Sequence, residues 1–172
     1  MKRVAVFAAL CALVVAACAG GEKEPSVSPP KLTDGRVTMA KVGGRPLPVF
    51  EFNCVVTERE AKVVGARVMY ATGADGFKPA QGSERPALVA PKTLEGQYVP
   101  SQHQLRGTVD PAKMEELATY LNGADAQIAF QWEVDWKAPD DEKVYKQLSS
   151  IFTTTNTTIA GAGLATEVPG GR

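Results

Sequence analysis

The sequence predicts a mainly β fold, an immunoglobulin-like antiparallel β-sandwich with one or two short helices. Three observations carry this expectation. Ile128, Phe130, Trp132, Val134 and Trp136 alternate with Ala129, Gln131, Glu133 and Asp135. That is the period of a strand with one buried face and one solvated face. Shorter β-like runs precede it, separated by turns rich in glycine and proline. One segment, 110–121, has the 3.6-residue period of an amphipathic helix.

In chain order, the predicted strands are Val37–Val42, Leu47–Thr57, Val63–Ala71, Ala87–Ala90, Leu94–Val99 and His103–Val109. Within Leu47–Thr57, Phe50, Phe52, Cys54 and Val56 recur at every second position, which aims an aromatic face inward. In the next strand Val64, Ala66, Val68 and Tyr70 take the inward positions and Arg67 the outward one. Turns fall at Gly43-Gly44, at Gly73 to Gly76 and across Gln81 to Pro86. Asp110-Pro111 supplies a helix cap and first residue. Met114, Leu117, Ala118 and Leu121 form the apolar stripe, and Asn122-Gly123 the stop. Ala126–Lys137 is the longest strand. After Pro139, the carboxylates of Asp140-Asp141-Glu142 are expected to open a second short helix reaching about Phe152. A threonine-rich strand, Thr153–Ile159, ends the sandwich.

Composition narrows the function. The 172 residues carry 19 Lys and Arg against 19 Asp and Glu, a formal charge of zero. No strongly basic face is available for nucleic acid, so nucleic acid is not an expected partner. Three cysteines are too few for a disulfide scaffold, and one histidine leaves little for an imidazole-rich metal site. No cofactor or metal is expected.

The N-terminus reads as an address. Lys2-Arg3 is followed by Val4 to Ala17 without a charge. About 14 residues at roughly 1.5 Å each span about 21 Å, short of a hydrocarbon core of about 30 Å but suited to a secretory signal. The run closes on Val15-Ala16-Ala17-Cys18, which resembles the lipobox of bacterial lipoproteins: a branched apolar residue, two small residues and cysteine. The resemblance implies diacylglycerol on Cys18, cleavage before it and usually acylation of the new amino group. Acyl chains on Cys18 are then the contact with the membrane. Ala19 lacks the aspartate that resembles an inner-membrane retention signal, so an outer-membrane location facing the periplasm is implied for a Gram-negative host. The expected organisation is a signal peptide over 1–17, a lipidated tether over 18–35, the sandwich over 36–160 and a disordered tail over 161–172.

Phe50–Thr57, Val63–Tyr70, Pro111–Leu121 and Ile128–Trp136 together resemble the LEA type 2 (WHy) β-sandwich domain. Glu58-Arg59-Glu60 stands where that family has an Asn-Pro doublet. The resemblance implies a stress-protective role.

Few residues invite catalysis. Cys54 shares a strand face with Phe50, Phe52 and Val56, as a packed thiol would. His103 has no Gly-x-Ser-x-Gly turn to serve. Glu133 and Asp135 project to one strand face and could form an acid-base pair, though a solvated outer face is the favoured reading. Asp140-Asp141-Glu142 lacks the ligand spacing of a calcium loop. Trp136, at the end of an overlong strand beside Lys137, is the candidate partner-binding residue. The expectation is therefore a non-catalytic, lipid-anchored binding or assembly module with an envelope protein as partner. The alternatives are an anchored hydrolase using His103 or the carboxylates, and the stress-protective role.

Overall fold

Strands whose apolar residues recur at every second position pair so that those positions share one face, and that requirement sets their register. The computed structural model describes residues 24–57, 61–78, 86–108, 111–156, 159 and 166–167. Its elements are β1 (Lys31–Val42), β2 (Arg45–Val55), β3 (Lys62–Thr72), β4 (Phe77–Lys78), β5 (Ala87–Leu88), β6 (Lys92–Val99), β7 (Gln104–Gly107), α1 (Pro111–Leu121), β8 (Gln127–Lys137), β9 (Tyr145–Leu148), β10 (Phe152–Thr155) and β11 (Thr166–Glu167). The chain is mainly β and antiparallel, as the periodicity predicts. Nine strands form one sheet in the order β1-β2-β7-β6-β3-β8-β10-β11, with β9 also on β8, and β4-β5 is a separate hairpin.

The sheet closes on itself to make the two layers of a sandwich. β6 is the corner: its residues Lys92–Glu95 pair with β3, whereas Gly96–Val99 pair with β7. Gly96 marks the change of partner, and a Cβ there would lie 2.2 Å from Trp132 Cζ3. Only glycine lets the corner come down on the indole. At the opposite side β1 approaches β10. The rings of Phe52 and Phe152 meet edge to face with centroids 5.0 Å apart, and a Cβ at Gly35 would touch both. Phe50, Phe52, Val68, Leu105, Phe130, Trp132 and Val134 fill the space between the layers and are fully buried.

α1 plugs one end. Met114, Leu117, Ala118 and Leu121 enter the core as their spacing predicts. Tyr120 locks the plug in place: its hydroxyl donates to the Gln127 carbonyl at 2.7 Å and accepts from the Gly73 and Gln127 amides. The other end is closed by a second apolar cluster of Ala61, Trp136 and Ala138, with Val27, Val56 and Tyr145 packed against it.

Five expectations are corrected by the fold. The tether is shorter than 18–35 implies, since Pro30 is buried and β1 begins at Lys31. The phase of β3 shifts at a bulge between Val63 and Gly65, which turns Val64 outward to 52% exposure while Val63 packs on the core. No residue from Pro139 to Ile151 is helical. Lys143 donates its amide to Asp141 Oδ1 at 2.8 Å, forming an Asx turn that starts β9 against β8. The tail is not structureless throughout, because Thr166–Glu167 pairs with β10 as β11. Trp136 is 1% exposed, so it is not a docking residue. Tyr145 covers it, with ring centroids 5.2 Å apart, and Val27, Val56 and Ala61 arrive from three other segments. Asp110 and Cys18 lie outside the described residues.

Candidate functional site

The outer face of β3 and β8 is divided in two. At the α1 end, Ala71 and Ala129 are paired and buried, and the β4-β5 hairpin lies against these strands. At the other end the face is open and carries charge. The register sets Arg67 opposite both Glu133 on β8 and Glu95 on β6, and sets Lys146 of β9 opposite Asp135. Antiparallel partners share a face, so these side chains converge.

Arg67 sits as a fork between two carboxylates. Its Nε donates to Glu133 Oε1 at 2.8 Å, and Nη2 bonds Asp135 Oδ2. Lys146 Nζ reaches Glu133 Oε1 at 3.1 Å. The carboxylates are 17% and 21% exposed, and partial burial strengthens such pairs relative to surface ones. Asp135 Oδ1 is shut from solvent and accepts no hydrogen bond among the described residues. Beside the fork lies a groove of about 530 Å³, lined by Arg67, Thr93, Leu94, Glu95, Lys113 and Asp135. Chemically it presents both charge signs, which suits recognition of a polar surface.

Glu133 and Asp135 therefore do share a face, as their spacing predicts. Each is committed to a cation rather than left as a free acid-base couple. Sequence reasoning placed Arg67 outward but missed its role, because only the β3-β8 register shows which carboxylates it meets. A second charged knot repeats the chemistry on the β1-β2-β7 layer. There Glu51, 8% exposed, accepts from Arg36 at 2.7 Å and pairs with Arg106 at 3.3 Å.

The remaining sequence candidates do not assemble. Cys54 is fully buried, and burial pushes its thiol up to about 12. At neutral pH about one thiol in 10⁵ would be ionised, too few for a nucleophile. His103 meets Cys54 through the backbone, its carbonyl accepting the Cys54 amide at 2.8 Å. The histidine is exposed, with φ 50°, and ends the short 3₁₀ turn Pro100–Gln102. In the Asp140-Asp141-Glu142 run, Asp141 Oδ2 accepts from the Tyr145 hydroxyl at 2.7 Å. Glu142 is held below the usual carboxylate range by its hydrogen bond from Lys137. Among the described residues no three His, Cys, Asp or Glu side chains are placed to hold a metal ion. No helix among them is long and apolar enough to cross a membrane.

No protein-family model matches the chain. No curated protein is similar to it.

Proposed function

We propose that this chain is a bacterial envelope lipoprotein, held to a membrane by acyl chains on Cys18 and carrying a non-catalytic binding or assembly module. The observation that carries the reading is the order Lys2-Arg3, an uncharged run, then Val15-Ala16-Ala17-Cys18. Each part has its own physical role: charge for orientation, an apolar run too short to span, and a cysteine for lipid. Two acyl chains or more make attachment stable where one is marginal. In a Gram-negative host the domain would face the periplasm from the outer membrane.

The fold is consistent with such a module. The groove beside Arg67, on its β6 and α1 side, offers a partner protein both charge signs, and an envelope protein is the partner we favour. The sealed Cys54 thiol speaks against nucleophilic chemistry there.

The test is fractionation of cells making the native chain and Cys18→Ser. The native protein should partition into detergent and incorporate a labelled fatty acid. Cys18→Ser should stay unprocessed or leave the membrane. A processed Cys18→Ser protein that remains membrane-bound would overturn the anchor.

A further inference from the structure

We propose that the outer face of β3 and β9, at the end where the chain enters the fold, rests on the lipid bilayer that holds Cys18. The inference builds on the lipoprotein reading and adds which surface meets lipid.

The first argument is chain length. Val27 packs against the Trp136 cluster, which places this residue at the entry end of the fold. Nine residues take Val27 back to Cys18. At no more than about 3.6 Å each, that link reaches about 32 Å at full stretch. β3 and β8 are 11 residues each, close to 36 Å of strand. Turning the fold over to put α1 on the membrane would need the link near full extension, at a cost in chain entropy. The entry end, with Lys31, Lys62, Val55 and Lys137 at the strand termini, is the end held down.

The second argument is where apolar surface is left open. Among the described residues the exposed large hydrophobics are Val55, Val64, Val89, Val144 and Leu148. Val55 is the last residue of β2, at the entry end. Val64 is turned out by the β3 bulge, one residue from the partner of Asp135. Leu148 pairs with Glu133 on the outer face, and Val144 directly precedes Tyr145, the partner of Trp136. Val89 follows β5 at the α1 end and stands apart from the other four; the β3-β8 face itself is covered there by β4-β5 and uncovered at the entry end.

Lys62 stands two residues from Val64, and its aliphatic stem can lie along acyl chains while its ammonium group reaches phosphate. Lys146 is held by Glu133 and Lys143 lies over the Tyr145 ring. Since the charges on this face are largely paired, the contact is local and shallow rather than a net electrostatic attraction.

The experiment uses the full lipidated chain in vesicles of phosphatidylethanolamine and phosphatidylglycerol containing a lipid-borne quencher. Val64→Cys, Val144→Cys and Asn122→Cys, the last beside the C-terminus of α1, are each labelled with an environment-sensitive fluorophore. Cys54 is buried and does not compete for the label. Labels at 64 and 144 should be quenched about threefold more than at 122, as expected for residues about 5–10 Å into the interface. Val144→Asp with Leu148→Asp should abolish quenching of the position 64 label while circular dichroism and vesicle retention stay unchanged. Equal quenching at all three positions, with the protein still on the vesicles, overturns the face and leaves the anchor standing. Failure to stay on vesicles overturns the anchor and the face with it. A blue shift at 64 and 144 that appears only when envelope protein is added identifies a protein partner and also overturns the proposal.

Discussion

Gly96→Ala tests the corner on which the two-layer fold depends. An ideal Cβ at Gly96 falls 2.2 Å from Trp132 Cζ3 and 2.7 Å from Cη2, with the Ala66 carbonyl 3.2 Å away. Ordinary carbon contacts begin at about 3.5 Å, so something must move by more than about 1 Å. The positive-φ glycines among the described residues are Gly43, Gly44 and Gly73, so alanine can adopt the backbone of position 96 and only the clash is at issue. Trp132 is fully buried and the carbonyl belongs to a paired strand, so neither neighbour gives way cheaply. Overpacking of this kind costs about 1–3 kcal/mol, and the size of the overlap places it near 3. With an m-value of about 1.5–2 kcal/mol/M, the urea midpoint should fall by roughly 1.5–2 M. Trp132→Phe removes the atoms that clash and should itself cost about 2 kcal/mol through the cavity it leaves. In that background Gly96→Ala should cost less than about 1 kcal/mol, a coupling of about 2 kcal/mol in the double-mutant cycle. Urea unfolding followed by far-ultraviolet circular dichroism measures all four corners. If the two costs simply add, the close approach of β6 to Trp132 is not what glycine is needed for.

The buried cluster predicts that Trp136→Ala lowers folding stability by about 3 kcal/mol, at the lower end for a core tryptophan because the site lies at the rim; a loss under about 1 kcal/mol in urea unfolding would contradict its burial. Cys54 should resist alkylation in the native protein and react on denaturation. Its pKa is raised from 9.0 to about 12 by burial, so the unfolded thiol ionises first as pH rises. Stability from this group is therefore complete below pH 9 and is lost between 9 and 12, at most about 4 kcal/mol at 1.36 kcal/mol per unit. Comparing native and Cys54→Ala proteins across that range should show a flatter profile in the variant, and parallel profiles would show that the thiol is not sealed. Arg67→Met leaves Asp135 without its cation and should cost about 1–2 kcal/mol, part of it recovered by Arg67→Lys and part screened by salt. An unchanged urea midpoint would mean that the fork is only a surface contact.

Several features of this protein are determined by short stretches of sequence alone. β8 is legible because one of its faces meets the core and the other meets water, which writes a period of two into Ile128 to Trp136. α1 is legible for the same reason at a period of 3.6, and Asn122-Gly123 ends it locally. The proposal for Cys18 likewise rests on a linear pattern of charge, length and small residues that needs no folded partner. Tertiary structure decided the rest. Asp140-Asp141-Glu142 suits a helix start or an Asx turn equally well. The turn prevails because the following Tyr145 and Gln147 pair with Trp136 and Val134. Trp136 is an interface candidate in its own strand and becomes core only when Val27, Val56, Ala61 and Tyr145 close over it. The phase of Val64 depends on a bulge against β8, and Gly96 has a purpose only because an indole from a distant strand lies beneath it. Arg67 finds Glu133 and Asp135 through register. Pairing and close approach join residues far apart in the chain, and no local period records them.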